Sequence, residues 1–223
     1  MPIEAVIYDM DGVLVDSEVY WDKSRVEFAR DRGQVWTDAF QRLAMGRSTV
    51  GWAQVMKEKL DLDESIDEII TEMKARVIAH YEERLPARPG ALESVHHMKR
   101  HFRVGLASGS PTEIIKAVLS ITGLDQIFEV MIYGDEVPRG KPAPDIYLEA
   151  LNALGVAPDR SLGIEDSANG LRSLKAAGMF AVAAPSPDYP LPADVLALAD
   201  AHISTLEDFT VDLVQKIETK SRS

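Results

Sequence analysis

Hydrophobic and polar positions along the chain follow two patterns, and the change between them divides the sequence. A short apolar run at residues 3–8, rich in β-branched side chains, predicts a buried strand of a parallel sheet. From residue 17 to about residue 84, apolar residues recur three and four positions apart, which predicts helices without an intervening strand. Beyond Gly90 helical and strand-like segments alternate, as a doubly wound sheet requires.

We therefore predict an α/β fold, a doubly wound parallel sheet with an inserted α-helical domain. The core domain is predicted to comprise residues 1–15 and 89–223, and the helical insertion residues 16–88. Pro86 and Pro89 mark the linker that returns to the core. An ordinary second domain, unrelated to any site, is the alternative for the insertion. Its predicted helices are 17–32, 36–45, 48–60 and 63–83.

The core segments alternate in the order that parallel strands with crossover helices need. The predicted helices are 91–101, 111–122, 145–154, 167–177 and one at the C-terminal end, and the predicted later strands are 102–107, 127–133, 160–164, 179–183 and 201–204.

Composition narrows the class of protein. The 223 residues are 46% hydrophobic and 27% charged, as in soluble globular proteins. A net charge of −12 argues against a nucleic-acid-binding surface. The chain has no cysteine, which excludes thiolate chemistry and fits a cytoplasmic setting. We expect no signal peptide and no membrane partner, since no apolar run approaches the roughly 18 residues that span a bilayer.

The first predicted strand ends in two aspartates. Asp9 and Asp11 are two positions apart, so in an extended chain their side chains project to the same side, and Gly12 permits a turn after them. Two adjacent carboxylates repel each other unless a cation lies between them, which indicates a divalent metal. A calcium loop is excluded because Val13 stands where a third oxygen ligand is required. A solvated Asp-Gly turn is the ordinary alternative.

Further candidate groups follow later strands: the segment 108–110, the pair Glu165 and Asp166, and Lys141 on a Pro/Gly-rich loop. Each has an ordinary explanation alone, as a helix N-cap, an acidic first helical turn or a solvated lysine. Their order on this strand pattern is far more specific than any one of them alone. A nucleotide-binding P-loop is disfavoured, because the glycine-to-lysine spacing is too long and Pro142 replaces the required hydroxyl residue.

The four segments D-M-D-G, L-A-S-G-S, G-K-P-x-P-D and E-D-S-x-x-G, in this order, resemble the signature motifs of the haloacid dehalogenase superfamily of phosphotransferases. The match spans essentially the whole chain. The helical insertion resembles the cap of the sugar-phosphatase and β-phosphoglucomutase branch. Within that branch, residues 16–22, 105–111 and 165–170 are similar to hexitol or 2-deoxyglucose-6-phosphate phosphatases.

This resemblance implies roles for the carboxylates. Asp9 would be the nucleophile that forms an aspartyl-phosphate, and Asp11 the general acid and base. Asp166, with Glu165 in support, would complete a Mg²⁺ site alongside Asp9 and the backbone carbonyl of Asp11. Magnesium suits such a set of oxygen ligands.

The resemblance also implies groups that bind the substrate. Ser108, the amide of Gly109 and Lys141 would hold the transferring phosphoryl group, with Ser110 beside them.

The cap would select a small phosphorylated substrate. In it Arg47 most resembles the family's substrate-loop arginine, and Trp21 and Glu18 are further candidates. For Arg47 a solvated helix end is the alternative, and for Trp21 the alternative is packing in the cap core.

A phosphatase of small sugar phosphates, present as a monomer or weak dimer, is the predicted function. The nearest rival is β-phosphoglucomutase, in which we expect a histidine where Trp21 stands and a basic residue where Pro111 stands. A catalytically silent phosphoryl-binding protein is the second rival, and the intact set of aspartates argues against it.

Overall fold

A six-stranded, all-parallel sheet forms the centre of the core unit. The computed structural model describes residues 2–45, 47–187 and 190–220. Across the sheet the strand order is β3-β2-β1-β4-β5-β6, so the order reverses at β1, and the predicted doubly wound α/β fold is confirmed. The strands are β1 (Ala5–Tyr8), β2 (Arg103–Ser108), β3 (Val130–Tyr133), β4 (Ser161–Glu165), β5 (Phe180–Ala183) and β6 (Ala201–His202).

The second compact unit, residues 17–85, is helical, and we call it the cap unit. Its longest helix starts later than the sequence predicts, because Ser65 caps it: the Ser65 hydroxyl accepts from the Glu68 amide while the Glu68 carboxylate accepts from the Ser65 amide. Its interior is apolar, with Phe28, Met56 and Met73 fully buried. The helices are α1 (Glu18–Asp31), α2 (Asp38–Ala44), α3 (Thr49–Lys59) and α4 (Ile66–Glu83).

The remaining helices belong to the core unit, which comprises residues 1–16 and 86–223. Buried side chains of α7 and α8 pack with residues of the sheet in one apolar cluster. The short α9 is not predicted, because a helix of four residues shows no helical period. The helices are α5 (Ala91–Met98), α6 (Thr112–Thr122), α7 (Asp145–Leu154), α8 (Ala168–Ala176), α9 (Ala193–Leu196) and α10 (Val211–Lys220).

The structure places the division between the units at 16/17 and 85/86, whereas the sequence predicts 15/16 and 88/89. The prolines at 86 and 89 do not distinguish between these two positions. Residues 86–88 are hydrogen-bonded to the loop that follows β1. The Asp16 amide donates to the Pro86 carbonyl at 2.8 Å, and the Arg88 amide donates to the Leu14 carbonyl at 2.9 Å. This segment therefore belongs to the core.

The strand predicted at residues 127–133 begins only at Val130. The amides of Ile127 and Phe128 both donate to the Leu124 carbonyl at 3.0 Å, which closes a turn and takes them out of the sheet. Their apolar side chains follow a strand pattern although their backbone does not.

Candidate active site

The strand order brings three predicted site residues to one edge of the sheet. Asp9 follows β1, and β1 lies between β2, which ends at Ser108, and β4, which ends at Glu165. All three side chains are buried, Asp9 with 5% of its surface exposed and the other two with none. In open α/β sheets, ligands bind outside the carboxyl ends of the strands where the strand order reverses. β1 is that position here.

Asp11 is held by the loop that follows β2. Its Oδ2 atom accepts hydrogen bonds from the hydroxyls of Ser110 at 2.8 Å and Ser108 at 3.2 Å. Its Oδ1 atom is buried and has no hydrogen-bond partner among the described residues. A buried carboxylate oxygen without a partner is costly. This oxygen is therefore the one available to exchange a proton with a bound group.

Lys141 lies at the centre of the cluster. Its Nζ atom donates to Asp9 Oδ1 at 2.6 Å, to Glu165 Oε1 at 2.7 Å and to the Ala107 carbonyl at 3.1 Å. Burial opposes the positive charge, but the carboxylates of Asp9 and Glu165 outweigh burial and raise the pKa of Lys141 well above its usual value. Lys141 is therefore a permanent cation beside Asp9.

The E-D-S-x-x-G motif has a local explanation at the start of α8. Ser167 is the N-cap, and its hydroxyl accepts from the Gly170 amide at 3.0 Å. The same hydroxyl donates to Glu165 Oε2 at 3.1 Å. A side chain at position 170 would overlap the carboxylate of Glu165, so only glycine fits there. The motif thus fixes the position of the Glu165 side chain.

Asp9, Glu165 and Asp166 form a cluster in which one carboxylate oxygen from each residue lies within 4.8 Å of the other two, a grouping that could hold a metal ion. Burial, followed by the charges of Glu165 and Asp11, raises the pKa of Asp166 to about 8. Gly12 adopts a φ of +73°, and a Cβ atom there would overlap the Asp166 carboxylate. The absence of a side chain at position 12 thus lets the Asp166 carboxylate lie against the loop that follows β1.

The chain matches the model of a known protein family. The family model described as haloacid dehalogenase-like hydrolase matches residues 3–178. The chain belongs to this family of hydrolases. The resemblance inferred from the four motifs is confirmed, and so is the prediction that the protein is an enzyme.

Relatives of this hydrolase include named phosphatases. Hexitol phosphatase B of Escherichia coli is 33% identical over 93% of this chain and 95% of its own length. A phosphorylated carbohydrates phosphatase of Thermotoga maritima is 33% identical over 79% of this chain and 82% of its own length. The crystal structure of CbbY from Rhodobacter sphaeroides in complex with phosphate is similar to this fold, with a TM-score of 0.81. The match covers 93% of this chain and 96% of the CbbY chain, and the two sequences are 27% identical.

The predicted substrate residues of the cap unit have different surroundings. Trp21 is 6% exposed and packs against Trp52, with their ring centroids 5.3 Å apart. Glu18 accepts from Arg25 at 3.1 Å and from Gln41 at 2.5 Å. Arg47 is exposed just before α3. Within the cap unit, Trp21 therefore has the packing of a core residue, as the ordinary explanation for it predicts.

Tyr147 is a site residue that the sequence analysis missed. Its hydroxyl donates to Glu165 Oε1 at 2.7 Å, and its ring lies 4.9 Å from the Lys141 ammonium. It occupies an apolar face of α7, where a tyrosine is indistinguishable from a packing residue. A signal was present in its position six residues after Lys141, in the helix that follows the lysine loop.

No helix among residues 2–45, 47–187 and 190–220 combines the length and the hydropathy of a membrane span.

Proposed function

We propose that this hydrolase is a Mg²⁺-dependent phosphatase that acts on small sugar phosphate monoesters through an aspartyl-phosphate on Asp9. One observation carries the proposal: a buried carboxylate, Asp9, is ion-paired with the ammonium of Lys141 at the point where the strand order reverses. The carboxyl group of Asp11, with a free oxygen, follows two residues later. These groups are a nucleophile, a phosphate-binding cation and a proton donor.

In the first step an oxygen of Asp9 attacks phosphorus and forms an acyl-phosphate bond as the ester P–O bond breaks. The leaving sugar oxygen takes a proton from the carboxyl group of Asp11. The serine hydroxyls on Asp11 Oδ2 leave Oδ1 to carry that proton.

In the second step a water molecule attacks the phosphorus of the aspartyl-phosphate. The Asp11 carboxylate takes a proton from this water, and the bond between phosphorus and Asp9 breaks. Free phosphate leaves, and both aspartates return to their starting forms. Asp11 thus donates one proton and recovers one in each turnover.

Lys141, Ser108 and the Gly109 amide would bind the phosphoryl oxygens. All three N–H groups of the Lys141 ammonium already donate to protein oxygens. Lys141 must therefore exchange at least one of these hydrogen bonds for one to a phosphoryl oxygen. The loop 108–110 leads directly into α6, and a helix N-terminus favours anionic groups. Ser110 would act on Asp11 in addition to lying beside the substrate.

Asp9 and Asp166 would hold Mg²⁺, with the backbone carbonyl of Asp11 and with Glu165 in support. The donor set fits this ion, since it consists of oxygens and brings carboxylates together that are crowded without a cation. Bound Mg²⁺ would neutralise charge that develops on the phosphoryl oxygens. Glu165 is the least available ligand, because both its oxygens already accept hydrogen bonds.

The relatives support the proposed substrate class. Two of them are named for phosphorylated carbohydrates and hexitols, which supports a sugar or sugar-alcohol phosphate for this chain. Arg47, Trp21 and Glu18 of the cap are the proposed residues for the sugar, with Arg47 the most accessible of them.

The test is phosphate release from a panel of sugar, sugar-alcohol and nucleoside phosphates, with Mg²⁺ or with a chelator, for the wild type and Asp9→Asn. We expect turnover that needs Mg²⁺ and falls by about 10⁴-fold or more in Asp9→Asn. Sugar or sugar-alcohol phosphates should rank first.

β-Phosphoglucomutase remains the second candidate, and a coupled assay distinguishes it. Formation of glucose 6-phosphate from β-glucose 1-phosphate faster than phosphate release would favour the mutase. Folded, metal-loaded protein that binds phosphate analogues but turns over no ester would favour a silent binder.

A further inference from the structure

Tyr147 is a buried tyrosine whose hydroxyl has a single partner at the candidate site. The residue is fully buried, and the hydroxyl donates to Glu165 Oε1. Glu165 is itself fully buried. A hydrogen bond to a buried ionised carboxylate is stronger than one between neutral groups. The hydroxyl therefore helps to fix the position of the Glu165 carboxylate.

The same oxygen of Glu165 receives Lys141. Glu165 Oε1 accepts from Tyr147 and from Lys141, both at 2.7 Å, while Oε2 accepts from Ser167. The carboxylate is thus fixed at both oxygens, and its orientation determines where the Lys141 ammonium rests. Without the tyrosine hydroxyl, Oε1 keeps only the lysine, and Ser167 alone holds the carboxylate from the side of Oε2, so Oε1 is less firmly placed.

Tyr147 contacts Lys141 from a second direction. The ammonium lies 4.9 Å from the centre of the tyrosine ring, within the range of a cation–π interaction. The ammonium also donates to Asp9 and to the Ala107 carbonyl. Tyr147 therefore acts on the lysine directly through its ring and indirectly through Glu165.

We propose that Tyr147 is a positioning residue that fixes the Lys141 ammonium beside Asp9 by holding the carboxylate of Glu165. Its consequence for catalysis rests on the phosphatase function proposed above. The placement of the lysine does not depend on that function.

Tyr147→Phe separates this role from packing, because phenylalanine keeps the ring in the apolar cluster of α7 and removes one oxygen. A matched control exists in Tyr8→Phe. Tyr8 is equally buried, and its hydroxyl shares a hydrogen bond of 3.0 Å with Ser94. Its ring packs against Phe128 and Phe209.

The first measurement is NMR of the side-chain ammonium groups in Mg²⁺-containing buffer, with isotope-labelled lysine and the Lys141 resonance assigned by its loss in Lys141→Met. We expect a slowly exchanging Lys141 resonance in the wild type. In Tyr147→Phe its hydrogen exchange should accelerate about tenfold. In Tyr8→Phe the resonance should be unchanged. This readout requires no turnover, so it stands even if the protein proves not to be a phosphatase.

The second measurement is steady-state kinetics on the best sugar phosphate. We expect Tyr147→Phe to lower kcat about tenfold with KM within about twofold of the wild type, since the lysine acts on charge that develops in the transition state. Tyr8→Phe should keep its kcat. In a Glu165→Gln background, Tyr147→Phe should cost little more, because the carboxylate through which it acts is gone.

An unchanged Lys141 resonance in folded Tyr147→Phe would overturn the proposal. So would an equal loss of kcat in Tyr8→Phe, which would show a general packing effect. Full additivity of Tyr147→Phe and Glu165→Gln would show that Tyr147 does not act through Glu165.

Discussion

In the cap unit acidic side chains lie beside arginines, whereas at the candidate site of the core unit one lysine pairs with two of four neighbouring acidic side chains. Arg32 pairs with Glu64 and Glu72, each at 2.8 Å, and Arg76 pairs with Glu72 at 2.6 Å. The hydrogen bond from Arg32 lowers the pKa of Glu72. At the ends of β1 and β4 the direction is opposite, since burial raises the pKa of Asp166 to about 8.

This difference shows which acidic side chains have cationic partners within the chain itself. The glutamates named above are paired with arginines of the same unit, and these pairs stabilise the fold modestly without a bound cation. At the candidate site, Lys141 offsets only part of the charge of Asp9, Asp11, Glu165 and Asp166. Crowded carboxylates oppose the stability of the fold. The Mg²⁺ and the phosphorylated substrate proposed above would account for their arrangement.

The largest effect on this comparison should come from removing the cation of the core cluster. We expect Lys141→Met to lower kcat by about 10²–10³, because the phosphoryl group loses a charged donor. Lys175→Met is the matched control, since Lys175 pairs with Asp200 at 3.0 Å elsewhere in the core. Steady-state phosphate release checks both, and an equal loss in the two variants would contradict a special role for Lys141.

A pH-dependent response to Mg²⁺ should follow from Asp166. Its folded-state pKa of about 8 lies above the ordinary value, so in metal-free protein the folded state retains a proton that the unfolded state has released. Stability should therefore fall as the pH rises from about 4 to about 8. Because Mg²⁺ binds the ionised carboxylate, the Tm gain on adding it should be larger at the upper end, about 5 °C at saturation.

Thermal unfolding with and without Mg²⁺, at about pH 6 and about pH 8, measures this response. Asp166→Asn should remove most of the gain and its own part of the pH trend, while Asp9, whose pKa burial also raises, keeps the rest of the trend. A gain that is larger at the lower pH, or that persists in Asp166→Asn, would place the ion elsewhere.

The smallest effect should come from the cap. We expect Arg32→Ala to destabilise this unit by about 1 kcal/mol, through two partly exposed ion pairs and the contact of its guanidinium with the Phe28 ring at 3.5 Å. Because the pKa of Glu72 is lowered, this contribution should be present above the ordinary carboxyl pKa and lost as the pH falls below it.

Hydrogen exchange of α1 and α4 measures the cap separately from the core. The control is Arg30→Ala, whose side chain is 70% exposed and should matter little. If Arg32→Ala destabilised the cap no more than Arg30→Ala, the ion pairs would not contribute as described.

Much of the fold could be predicted from the sequence because the alternation of helix and strand periods is strong in the core. Asp9, Ser108 and Glu165 were also identifiable, since each follows an apolar strand and the ends of parallel strands share one edge. Their order along the chain carries the family signature. The sequence pattern therefore predicts which groups meet, although it gives no distances between them.

Other features required coordinates. Tyr147 lies on an apolar helix face, where its hydroxyl gives no periodic signal. The hydrogen bonds from Ser108 and Ser110 to one oxygen of Asp11 depend on a loop conformation that spacing does not determine. The return linker was placed too late because residues 86–88 belong to the core through backbone hydrogen bonds, which leave no mark in the side-chain pattern.

The central claim is that Asp9 carries the phosphoryl group during turnover. Rapid acid quench of the Mg²⁺-loaded enzyme with a radiolabelled sugar phosphate, followed by peptide mapping, tests it directly. We predict acid-stable, base-labile label on the peptide that contains Asp9, and none in Asp9→Asn. Continued phosphate release with no label on the protein, or label on another residue, would contradict the account.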